Sequence, residues 1–129
     1  MLVFILMLGS LSQEADVRPN CTSPRNQLEI NACSYARYQR ADEKLNRQWK
    51  LTLAEARRNP EEQRPELHGG MTDAQILIEA QRAWIAFRDA QCAFEKTHMP
   101  GSGGPAMEAD CLERLTLVRT GELRGTYRH

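Results

Sequence analysis

Residues 24–58, PRNQLEINACSYARYQRADEKLNRQWKLTLAEARR, decide the fold. After its first residue the stretch holds neither glycine nor proline. Leu28, Ala32, Tyr35, Leu45, Trp49, Leu53 and Ala56 return at spacings of three and four, with one gap around Asp42. That period predicts a long amphipathic helix. Ser23 before Pro24 suits a cap followed by the first helical position, Asn26 with Glu29 offers a capping box just inside it, and Asn59-Pro60 stops the run. At about 1.5 Å per residue the helix would run roughly 50 Å.

Working outward, residues 59–73 (NPEEQRPELHGGMTD) set Glu61, Glu62, Glu66 and Asp73 against Arg64, a local charge of −3. Two prolines and two glycines make this a solvated connection. Thr72 or Asp73 then caps a second helix over 74–97, whose stripe is Leu77, Ala80, Trp84, Phe87, Gln91 and Phe94. The segment His98-Met99-Pro100-Gly101-Ser102-Gly103-Gly104 is too rich in glycine to stay helical. Pro105 opens a third helix over 105–123 carrying Met107, Cys111, Leu115, Val118 and Leu123. No alternating strand pattern occurs. The expectation is an all-α fold, an antiparallel three-helix bundle packed up-down-up around Trp49, Trp84, Phe87 and Leu115.

The chain of 129 residues fits one domain. Lys and Arg number 17 against 17 Asp and Glu, which removes the basic footprint of general nucleic-acid or anionic-membrane binding. Residues 1–12, with the apolar run Leu2–Leu8 followed by Ser10 and Ser12, read as a secretory signal. No Lys or Arg precedes the run, which marks a cropped signal or a start lying upstream. The domain is then 13–129, periplasmic or secreted. The first cysteine after the run is Cys21, behind Arg18-Pro19-Asn20, so lipid attachment is not expected and no membrane anchor remains after signal removal.

Export favours disulfides for the four cysteines at 21, 33, 92 and 111, which contain no C-x-x-C. Cys92 lies six residues before His98 and Cys111 six after Pro105, level across the helical hairpin. That makes Cys92–Cys111 the easiest pairing and leaves Cys21 for Cys33. The crossed pairing, Cys33 with Cys92 and Cys21 with Cys111, stays open.

Catalytic chemistry is not indicated. His68, His98 and His129 are scattered, with no H-E-x-x-H and no carboxylate at ligand spacing, so neither a metal nor a cofactor is expected. The glycines at 101, 103 and 104 follow a helix and lack the pattern of a nucleophile elbow. Polar residues inside the helices are more informative. Asp42 with Asn46, Arg82 with Asp89, Arg88, and Arg119 one position beyond its apolar stripe read as a structural interhelical network. The loop offers His98, Gly101, Ser102, Gly103 and Gly104 as a narrow tip with backbone N–H groups, shaped to enter another protein's cleft. Its plain reading is a helix-to-helix connection.

Several runs carry a family resemblance: Gln27-x-Glu29-x-Asn31-x-Cys33; Ala41-Asp42-x-x-Leu45-Asn46; Ala80-Gln81-Arg82-Ala83-Trp84-Ile85-x-Phe87-Arg88-Asp89-Ala90-x-Cys92; and Cys111-Leu112-x-x-Leu115-Thr116-x-x-Arg119-Thr120-x-x-Leu123. In order and spacing, across roughly Cys21 to Leu123, they resemble the LprI-type lysozyme inhibitor domain of bacterial envelope proteins. The resemblance implies an exported helical domain whose protein target is a lysozyme. The same scaffold would also serve an envelope binding or immunity-type module against another secreted toxin.

Overall fold

The computed structural model describes residues 19–58 and 64–127. The segment read as a signal, Glu61 and Glu62 of the linker, and His129 lie outside the described residues. Three α-helices, α1 (Gln27–Arg58), α2 (Asp73–Lys96) and α3 (Gly104–Gly125), carry the fold, with a short 3-10 turn at Pro65–His68 inside the linker. The all-α expectation holds.

Helix α1 starts later than Ser23-Pro24 suggests, because Asn26 is its cap. The Asn26 side chain accepts from the Glu29 N–H at 2.9 Å. The Glu29 carboxylate reaches past Asn26 and accepts from the Arg25 N–H and guanidinium at 2.7 and 2.6 Å. Upstream, the Asn20 side chain accepts from the N–H groups of Thr22 and Ser23, at 3.2 Å each, and turns the chain back so that Cys21 bonds Cys33. Helix α2 begins in a full capping box between Thr72 and Gln75.

Helices α1 and α3 run parallel. Asn31 donates to the Ser102 carbonyl at 2.9 Å, Arg37 pairs with Asp110 at 2.7 Å and Glu113 at 3.2 Å, and the Thr52 hydroxyl donates to the Leu123 carbonyl at 3.1 Å. Helix α2 runs against both: Gln81 meets Arg119, Arg88 meets Thr116, Cys92 bonds Cys111 and Lys96 pairs with Glu108. The bundle is uneven. Helix α3 sits in the middle, packed most closely on α1 and next on α2, while α1 and α2 touch little.

The core corrects the sequence expectation. Trp49, Trp84 and Leu115 are half-buried, and Phe87 is exposed together with Leu28, Tyr35, Phe94 and Val118. The buried set is small instead: Ala41, Ala56, Ala74, Ala106, Ala109, Ser34, Thr52, Thr116 and Thr120, with Leu45 and Leu123 the largest apolar members. Alanine and threonine allow close approach of α1 to α3, which leaves no space for aromatic rings between them. On α2 the inward residues are Ala74, Gln81 and Arg88, spaced by seven, and Cys92. With Arg88 and the disulfide turned inward, Phe87 lies about 100° around the helix and faces water.

Candidate functional site

The loop between α2 and α3 is built on clamped supports. Cys92–Cys111 joins the two helices below it, with a Cα separation of 5.5 Å, and Cys21–Cys33 closes the start of α1 at the same end. The N–H groups of Thr97, His98 and Met99 donate back to the carbonyls of Phe94, Glu95 and Lys96, continuing α2 as a tight turn. Gly101 takes φ +92°, where a side chain would be strained, and the Gly104 N–H donates to its carbonyl at 3.2 Å. Gly104 is buried against α2, where a Cβ would meet the Met99 carbonyl oxygen at 3.0 Å. A side chain there would force the loop backbone at Met99 to give way.

The tip does not project freely. Asn31, itself held by Gln27 at 2.9 Å, donates to the Ser102 carbonyl and ties the tip to α1. Around this anchor the Gly101 and Ser102 backbone is exposed, and their N–H groups and that of Gly103 take no part in the turn's hydrogen bonds. His98 is exposed and stands edge-on to Phe94, with ring centroids 4.9 Å apart. Preorganised donors at the start of α3, where the helix dipole is positive, form a surface that favours a carboxylate or carbonyl oxygen.

A second constellation lies inside. Arg88, 7% exposed, donates to Asp89 at 3.0 and 2.9 Å and to the Thr116 hydroxyl at 3.3 Å, with Asp42 at 3.7 Å. Its guanidinium lies 5.6 Å from the Tyr38 ring and 5.2 Å from the Trp84 ring. Trp84 carries the Arg119 guanidinium as well, 5.9 Å away, and Arg119 donates to Gln81 at 2.9 Å. Burial pushes the Tyr38 phenol above its ordinary value, opposed by Arg88. Asn46 donates to Asp42 at 3.3 Å on the α1 side. Arg88 thus fastens all three helices. Arg82, grouped with this network from its spacing to Asp89, is exposed on α2 and stands outside it.

Tyr38, Gln81 and Thr116 belong to this constellation although their sequence positions did not mark them as members. Gln81 and Arg88, seven apart and so on one face of α2, carried the signal. Asn31 was visible only as a motif residue, because its bond to Ser102 spans 71 positions. Among the described residues no three His, Cys, Asp or Glu side chains gather where they would hold a metal. No helix among them is long and apolar enough to cross a membrane.

The described residues form a small helical domain stapled by two disulfides, with a buried polar frame and a tip anchored to α1. The sequence profile described as "Lysozyme inhibitor LprI" matches residues 19–123, and the chain belongs to this family of inhibitors. It is also 34% identical over 110 residues to an uncharacterized protein of Rhizobium meliloti (strain 1021), in an alignment covering 82% of this chain and 77% of that protein. No solved structure matches.

Proposed function

We propose that the protein is exported and inhibits a lysozyme by placing the tip 98–104 in the enzyme's cleft. The anchored tip is the observation that carries the reading. A lysozyme cleaves its glycosidic bond with two carboxyl groups facing an open groove, and an occluding loop works best when it brings hydrogen-bond donors to them at little ordering cost. The N–H groups of Gly101, Ser102 and Gly103 supply the donors, His98 a further one, and the Asn31 bond with the Cys92–Cys111 bridge supplies the rigidity. Zero formal charge means that docking depends on fit more than on long-range steering of a basic enzyme.

The experiment is a cell-wall turbidity assay with disulfide-intact protein and with Ser102→Trp. The wild type should block lysis. Ser102→Trp should lose the block while melting normally, because an exposed loop position has no core contacts to lose. Unaltered lysis at large molar excess of the wild type would defeat the reading and favour an immunity-type role against another toxin. Normal inhibition by Ser102→Trp would move the contact away from the tip.

A further inference from the structure

Helix α2 has a second face that the domain does not use. Ile76, Ala80, Ala83, Phe87, Ala90 and Phe94 follow one another at steps of 4, 3, 4, 3 and 4, the repeat of a helix-packing seam. No charge interrupts it over about 27 Å of helix. All but the half-buried Ile76 are exposed, with Phe87 at 56% and Phe94 at 58%. Other large apolar side chains are exposed too, Leu28, Leu51 and Leu67 among them, but on α2 the two open rings fall on one continuous seam.

The steps, as in any alternating seam of this length, read the same in both directions about a point level with Ile85, between Ala83 and Phe87, and it is the order of side-chain sizes that favours a second copy. A second α2, laid antiparallel about a two-fold axis at that level, sets Ala83 opposite Phe87, Ala80 opposite Ala90 and Ile76 opposite Phe94. Each large ring in the middle meets an alanine. At the ends, beside Ile76 and Ala80, lies an open depression of about 350 Å³ walled by Leu77, Leu123 and Tyr127 and rimmed by the polar His68, Asp73 and Arg119, where the Phe94 ring of the second copy would arrive. We infer that two copies of this chain associate through the α2 seam as an antiparallel, two-fold dimer, with Phe94 of each seated in the depression beside Ile76 of the other.

Zero formal charge removes net repulsion between copies, and a two-fold contact closes on itself. With a side-chain area of roughly 200 Å², each Phe leaves about 110 Å² to cover. The two rings bring about 220 Å² per copy and the alanines and flanks add to it, which keeps the patch at the low end for a specific interface, so the dimer should be weak and dependent on concentration. The Gly101–Ser102 ends of the two tips would point to opposite ends of the dimer, while His98, edge-on to Phe94, would border the contact, and the test needs no lysozyme.

Sedimentation equilibrium of the disulfide-intact protein, from about 1 μM to 1 mM, should show monomer passing to dimer. Phe87→Asp and, separately, Ala83→Asp should raise the dissociation constant at least about tenfold, with unchanged melting at the lowest concentration. Both positions are exposed, so one variant suffices if the other folds poorly. Spin labels fix the direction: labels at Ala86 should lie close together in the dimer, and labels at Ala93 about 24 Å apart along the helix axis, whereas a parallel pair would give similar separations at both. A monomer throughout the range, a dimer indifferent to both substitutions, or similar separations at the two label sites would overturn the inference.

Discussion

Replacing Arg88 by alanine tests the central claim about the fold, that one buried guanidinium joins three helices that otherwise share a thin core. The loss has four parts. Two methylenes of the stem leave a packed site, about 1.6 kcal/mol. The Tyr38 and Trp84 rings each lose a cation, together about 1 to 2 kcal/mol. The fully buried Thr116 hydroxyl loses its Arg88 donor, about 1 kcal/mol. Asp42 and Asp89 add little, because their carboxylates are 39% and 58% exposed and regain water, so the ion pairs are worth at most about 1 kcal/mol. The sum is about 4 to 5 kcal/mol, a large share of a small domain's stability. Arg88→Met, which fills the stem without the polar head, should cost about half as much.

Urea unfolding followed by circular dichroism and tryptophan fluorescence measures both variants, provided that the slope m is unchanged. A double-mutant cycle of Arg88→Met with Thr116→Val isolates the hydrogen bond between them. If Arg88→Ala shifted stability by less than about 1 kcal/mol, the guanidinium would not be the fastening and the geometry of α2 would have to come from the disulfide with the Gln81–Arg119 and Lys96–Glu108 contacts.

Three further outcomes follow from the same contacts. Loop closures of 12 and 19 residues make each disulfide worth about 3 kcal/mol in the chain-entropy account, so replacing Cys92 and Cys111 by serine should lower the unfolding midpoint with nearly unchanged helix content; mapping unreduced peptides should recover Cys21 with Cys33 and Cys92 with Cys111. Glu29 and Glu95 lie below their ordinary value of 4.5, Glu29 because Arg25 donates to it and Glu95 because Gln91 and then Arg114 do; the stability they contribute is complete above that pH and lost as pH falls through the depressed values, and urea midpoints from pH 7 down to 3 should show a drop that Glu29→Gln and Glu95→Gln each reduce. Arg82→Ala should change stability by no more than about 0.5 kcal/mol, whereas Asn31→Ala, by releasing Ser102, should speed hydrogen exchange in the tip without unfolding α1.

Helix content and punctuation were legible because they are local. Spacing, Thr72, Gly104-Pro105 and the absence of breakers between Gln27 and Arg58 sufficed for three helices within a few residues of their ends. Which face of α2 turns inward was not legible, because two seams run along it. One carries Phe87 and Phe94, the more apolar by composition; the other carries Gln81, Arg88 and Cys92. Hydrophobicity chooses the first. Partners elsewhere in the chain choose the second: Cys111, Thr116 and Arg119 on α3 and Tyr38 on α1 compensate the polar groups and bring α2 round. The late start of α1 has the same origin, since a disulfide 12 residues long needs the chain before Asn26 folded back instead of helical.

The same choice ties the small core to the tip. With alanine and threonine between α1 and α3, little apolar area is buried, and order at this end of the bundle depends on Cys21–Cys33, Cys92–Cys111 and the Asn31 bond to Ser102. These are also the constraints that hold Gly101 to Gly104 in one shape. The runs that carry the resemblance hold Cys33, Cys92, Cys111, Asn31, Trp84, Arg88 and Arg119, all of them parts of the frame, while His98, Gly101 and Ser102 fall between those runs. Under the proposed function, target choice would turn on exposed tip residues such as His98 and Ser102, whereas Gly101 is held to glycine by its φ of +92° and Gly104 by the Met99 carbonyl oxygen 3.0 Å from where a Cβ would stand.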